Sequence, residues 1–268
     1  MKNKNVILLI LVIFCLIVLA VLSGLTYKTV KSYYASIDFL DSVLKFEEEY
    51  CEDVFSIDKI TFFSGCDAEI ETNSNSSFTI SDLFQYTDIA IFINPSSETL
   101  TAKNTLKTVI LDDIEFYLKP SYGTQNLYYK NINDFATNKF SDENLIQNKI
   151  IFEATSDDKI DFSKPVLYNN CANPITLCYV NSKIKDSYTF DSSISNISHN
   201  GSLLKACSIT LNSISCKLKF TVSITNNLDE VYTCPVNLSI PLSTENSTIY
   251  DGSLTLKDNT NYKFIKIK

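Results

Sequence analysis

Apolar and polar residues fall along this chain in three successive textures. Residues 6–22 are seventeen uncharged apolar positions in a row, with Lys2 and Lys4 before them and Lys28 and Lys31 after. At helical rise that run reaches about 25 Å, close to the hydrocarbon thickness of a bilayer, and residues 23–25 can lengthen it. The run is longer than a usual secretory core and ends at Val21 and Ser23 rather than at an A-x-A exit. An uncleaved transmembrane anchor over residues 6–25 is therefore expected, not a removed signal. A slight lysine bias places the tail 1–5 inside and the body outside, as a single-pass protein of the cell membrane.

The second texture is helical. Val30, Tyr33, Ile37, Leu40 and Leu44 recur at three- and four-residue steps, and Phe39, Val43, Phe46 and Tyr50 make a second stripe. This predicts a helical stalk over 26–52, with too few heptads to argue a coiled coil.

After Cys51 the texture turns to short β-branched and aromatic runs split by Asn, Ser, Asp and Gly. Strands are predicted at 59–63, 67–72, 88–94, 106–111, 114–118, 149–155, 174–181, 249–257 and 261–268. The run 88–94 is apolar on both faces and suits a central strand. The clearest pattern lies in 217–225, where Leu218, Phe220, Val222 and Ile224 alternate with polar residues, and in 233–242, where Cys234, Val236, Leu238 and Ile240 do the same. Strict period two with one polar face predicts antiparallel, half-buried strands. Pro235 and Pro241 lack an N–H and place the second strand at an edge or a bulge. Both inward sets are even-numbered, so a regular hairpin needs an odd-length loop. Residues 226–228 would serve, setting Phe220 opposite Cys234. Cys216 would then lie about 13 Å further along, beyond disulfide reach.

The expected fold is thus mainly β: an N-terminal transmembrane helix and helical stalk, followed by an antiparallel β-sandwich over 53–268, Greek-key or jelly-roll-like. The loop 162–173 is the one place where that region could divide.

Charge narrows the partners. The chain carries 31 acids, 23 lysines, no arginine and a net charge of −8. Beyond the apolar run 21 lysines face all 31 acids, leaving −10. Such a body repels nucleic acid, and without arginine it lacks the bidentate fork used on phosphates and carboxylates. Lysine in place of arginine, with heavy Asn and Ile usage, fits an AT-rich bacterial genome. Seven cysteines lie outside the apolar run, an odd number with no C-x-x-C. Buried, unbonded thiols fit this better than a disulfide framework or a metal knuckle.

Candidate chemistry is sparse. His199, the only histidine, sits in a polar loop with no G-x-S-x-G in the chain, and reads as a solvated residue. Asp112-Asp113 and Asp157-Asp158 read as turn acids. Adjacent strand residues point to opposite faces, so neither pair converges on a metal if it lies in a strand. Tyr122, Tyr128 and Tyr129, with Asn126, form the first-choice aromatic surface for a glycan or protein partner. Glu230-Val231-Tyr232-Thr233-Cys234 resembles the strand-end T-L-x-T-C motif of sortases, membrane-anchored transpeptidases with a β-barrel body. That resemblance implies a cysteine nucleophile at Cys234 preceded by a histidine, here His199. The chain departs from it at Glu230 and Val231 and has no arginine to stabilise an oxyanion, and Cys234 on an inward face reads as core. No catalytic residue, metal or cofactor is assigned. The chain reads as a membrane-anchored interaction or scaffolding protein, with an envelope enzyme using a thiol or carboxylate, or a glycan-binding module, as alternatives.

Overall fold

The computed structural model describes residues 54–72, 77–190, 201–240, 252–257 and 262–268, with a few isolated positions between 18 and 37. The chain divides into two compact units, Met1–Cys51 and Glu52–Lys268, and every strand among the described residues lies in the second.

The anchor and stalk expected over 6–25 and 26–52, and the single-pass membrane topology built on them, are corrected here. Among the described residues no helix is long and apolar enough to cross a membrane. The physical reason is length. An apolar run spans a bilayer only as a continuous helix of roughly 20 residues. The helices whose bounds fall within the described residues, α1 (Gly201–Ala206) and α2 (Leu211–Ile214), reach six and four residues. Most of the residues assigned to the anchor and stalk lie outside the described set.

The fold is mainly β. Its strands are β1 (Phe55–Thr72), β2 (Phe78–Pro95), β3 (Leu106–Leu118), β4 (Thr124–Tyr129), β5 (Leu145–Ile146), β6 (Ile150–Thr155), β7 (Val166–Tyr168), β8 (Ile175–Phe190), β9 (Cys216–Asn226), β10 (Val231–Ile240), β11 (Gly252–Lys257) and β12 (Ile265–Lys266). They make two six-stranded sheets, ordered β11-β1-β2-β8-β4-β5 and β12-β10-β9-β3-β6-β7. Every ladder is antiparallel except β6 with β7, so the second sheet is mixed. That parallel pair is formed by the 162–173 segment, which binds into the sheet.

One apolar core lies between the layers. Ile60, Phe62, Ile89 and Ile91 of the first sheet share it with Val109, Leu111, Phe220 and Val222 of the second, none more than 2% exposed. Two alternating inner faces that cannot stay in water bury each other, which fixes the layered arrangement. The run 88–94 falls within β2, between β1 and β8, where burial on both faces suits it. β1, β2 and β8 carry a second, smaller cluster, with Cys66, Ala68, Ile80, Leu83 and Ile184 covered by Leu203, Leu204 and Cys207 from α1 and its exit. A buried polar belt crosses the sheet between the clusters: Ser64 bonds Thr87 at 2.8 Å, and Gln85 and Asn181 are fully buried.

The β9–β10 hairpin keeps its expected parity with its turn moved by one residue. Thr225 pairs with Val231 and Val222 with Cys234, leaving a three-residue loop, 227–229. Asn226 causes the shift. Its Oδ1 accepts the N–H groups of Leu228 and Glu230 at 2.9 Å, and its Nδ2 donates to Lys103 O and Glu230 Oε2 at 2.8 Å. Asp229 closes the loop at φ 62. Cys216 stands opposite Ile240, far along the ladder from Cys234, and neither is bonded to the other. β10 meets β12 only at Tyr232 and Thr233, so Pro235 lies where no ladder N–H is needed on that side.

Candidate functional site

β3 is long enough to have two neighbours, yet one of them leaves halfway. On one side β9 follows it from Leu106 to Leu118. On the other, β6 pairs only with Thr108–Leu111, the last register being Leu111 opposite Ile150. The chain reaches Ile150 from β5, which is bonded to β4 in the opposite sheet. Residues 147–149 therefore cross between layers, and β6 cannot extend back along β3. From Asp112 to Leu118 the strand has no described partner on its β6 side.

Side chains along this edge reflect the missing neighbour. Ile114 and Phe116 pack against the main core but are only half-buried. Tyr117 and Leu118 are 46% and 50% exposed. Register jumps between Asp112 and Glu115, and Asp113 takes φ 52. This bulge breaks the alternation that would have sent the two aspartates to opposite faces. Both instead line one open groove of about 990 Å³ on the outer face, with Glu115, Lys149, Lys219 and Thr221. Glu115 Oε2 lies 2.7 Å from Lys219 Nζ, and that carboxylate raises the lysine above its ordinary range. Asp112 Oδ1 is closed off from solvent and has no hydrogen-bond partner among the described residues. No group of three or more metal-ligating side chains converges among the described residues.

The most buried charges lie elsewhere, on the outer face of the first sheet. Asp88 and Lys130, at 0% and 2% side-chain exposure, are 2.7 Å apart. Lys130 Nζ also donates to Thr137 O at 2.6 Å and lies 5.1 Å from the Tyr86 ring centroid. Asp88 Oδ2 accepts the Ala136 N–H at 2.8 Å. Burial pushes the Asp88 carboxyl above its ordinary range, against the opposing pull of Lys130, the Cys178 thiol and the Ala136 N–H. The two bonds to Asp88 and the contact with Tyr86 tie the 130–137 segment to β2, and the Lys130–Thr137 bond closes that segment on itself. The geometry is that of a clamp. Nearby, Gly65 lets Tyr86 lie across β1, where an added Cβ would come within 2.6 Å of its hydroxyl.

The aromatic surface predicted at Tyr122, Asn126, Tyr128 and Tyr129 is divided by the sheet. β4 carries the last three, and its side chains alternate between faces. Tyr128 packs on the outer face with Tyr86 and Phe140. Tyr129 enters the main core, its single hydroxyl proton shared between Phe162 O and Lys164 O, each 2.7 Å away. Both are 4% exposed, Asn126 is half-buried, and of the four only Tyr122, at 50%, is exposed. Asp157 and Asp158 are exposed after β6, and His199 lies outside the described residues.

Thiol chemistry is disfavoured wherever a cysteine is described. Cys66, Cys171, Cys178, Cys207, Cys216 and Cys234 are all buried thiols. Burial pushes Cys171 and Cys234 up to about 12 and Cys207 and Cys216 to about 11. A catalytic thiolate requires the opposite shift. In the segment resembling a sortase motif, Tyr232 and Cys234 are fully buried core residues. Glu230, the departure from that motif, binds Lys266 at 2.7 Å, Asn226 at 2.8 Å and Tyr232 at 2.9 Å. It anchors the C-terminal strand. Comparison with known proteins finds no matching family model, curated protein or solved structure.

Proposed function

We propose that this protein is a non-catalytic interaction or scaffolding module that receives an extended segment of a partner along the open edge of β3. The single observation that supports the reading is the half-paired strand: Asp112–Leu118 has β9 on one side and no described strand on the other. A strand edge with vacant N–H and C=O groups is a template for another strand, and backbone bonds supply the affinity in strand addition. Half-buried Ile114 and Phe116 offer apolar contacts to alternate side chains of the incoming segment. Beside that edge, the groove on the outer face mixes carboxylates and lysines with Ile114, Phe220, Pro235 and Val236, a lining that suits the side chains of a peptide.

Amide hydrogen exchange on the full chain tests it. Residues 112–118 should exchange faster than 108–111 in the protein alone. A short peptide of alternating valine and threonine should slow them, whereas the same peptide with N-methylated backbone amides should not. Equal protection by both peptides, or by neither, would overturn the reading.

A further inference from the structure

Carboxylates at the mouth of the open edge bias what can occupy it. Of the three that line the groove, Glu115 is matched by Lys219 at 2.7 Å. Asp113 is exposed on the groove with no hydrogen bond or close ion pair among the described residues, and Asp112 beside it is half-buried with Oδ1 closed off from solvent. The bulge between Asp112 and Glu115, with Asp113 held at φ 52, keeps both aspartates on the groove. An exposed carboxylate with no close cation, reinforced by a half-buried acid beside it, favours a cation brought by the ligand.

We infer that the occupant is a basic β-strand: an extended peptide segment whose backbone pairs with Asp112–Leu118 and whose lysine or arginine side chain meets the exposed Asp113, in the field of Asp112 beside it. This rests on the strand-addition reading and adds the chemistry of the partner to it. Apolar residues at alternate positions cover Ile114 and Phe116, and the cation falls on the other face of the added strand, where the acids lie. A second copy of this chain is a poorer fit. Each copy carries a charge of −8, and antiparallel pairing of two such edges about Glu115 would set like charges side by side.

The experiment uses the full chain and three fluorescent peptides of about seven residues. All alternate valine and threonine, with lysine, alanine or glutamate at one outward position. Affinity should fall about tenfold from lysine to alanine and further to glutamate, and the lysine advantage should shrink as salt is raised. In Asp112→Asn with Asp113→Asn the lysine and alanine peptides should bind equally, at the alanine peptide's affinity for the unaltered chain. Binding of all three peptides with equal affinity, sensitive to backbone N-methylation, would overturn the basic-strand inference and leave strand addition standing. Binding of none would remove both. Protection of 112–118 that rises with protein concentration, without peptide, would replace the basic partner by a second copy.

Discussion

A carboxylate that accepts three hydrogen bonds from donors fixed by the fold holds its charge tightly, and Glu230 is this chain's example. Lys266, Asn226 and Tyr232 hold it down at about 2, from an ordinary 4.5. Because the folded value is the lower one, the stabilisation is fully present above about pH 4.5 and is lost as pH falls towards 2. Urea midpoints recorded down this range should drop more steeply for the unaltered chain than for Glu230→Gln, which at neutral pH should be less stable by about 1–2 kcal/mol. Lys130 makes a sharper case. Lys130→Met leaves Asp88 buried without its cation and should cost about 3–5 kcal/mol in denaturant unfolding. Adding Asp88→Asn should recover much of that loss, since it is the stranded charge that destabilises. Neither role could be read from sequence, because the ion-pair partner of each lies 36 or 42 positions away.

At the scale of elements, period two was legible wherever one face of a strand stays wet. β9 and β10 alternate cleanly, and the odd-length loop between them followed from parity alone. Its centre did not, because alternation carries nothing about the four hydrogen bonds made by the Asn226 side chain. Asn226→Ala should strand several of those groups and cost about 2–4 kcal/mol, measured as a fall in unfolding midpoint with the slope unchanged. Strands merged where the sequence marks a pause. Segments 59–63 and 67–72 join into β1, and 106–111 and 114–118 into β3 across its bulge. β4 went unrecognised as a strand, since its Thr-Gln-Asn start reads as loop and its two tyrosines bury on opposite faces. Reading Tyr128 and Tyr129 as one surface failed for the same reason. The open edge of β3 was illegible too. It depends on where residues 147–149 change layers, a relation between segments some 35 positions apart.

For the whole molecule, apolar content and alternation were enough to indicate a mainly β body, whereas an apolar run near the start did not establish a membrane helix among the described residues. Layered sheets depend on many weak local patterns agreeing. A span depends on one continuous element, so a single failed assumption removes it. The distribution of cysteines across the layers has a use of its own. Cys171, Cys216 and Cys234 sit in the main core, Cys66 and Cys207 in the smaller one, and Cys178 beneath the 130–140 segment. Iodoacetamide should label none of them quickly in the native chain. At moderate denaturant, site-resolved mass spectrometry should show Cys66 and Cys207 modified together and ahead of Cys216 and Cys234. Simultaneous labelling at every site would mean that both cores open as one. Sulfur has thus been placed by the fold as a built-in set of clocks, one for each compartment of the interior, that record the order in which the structure lets water in.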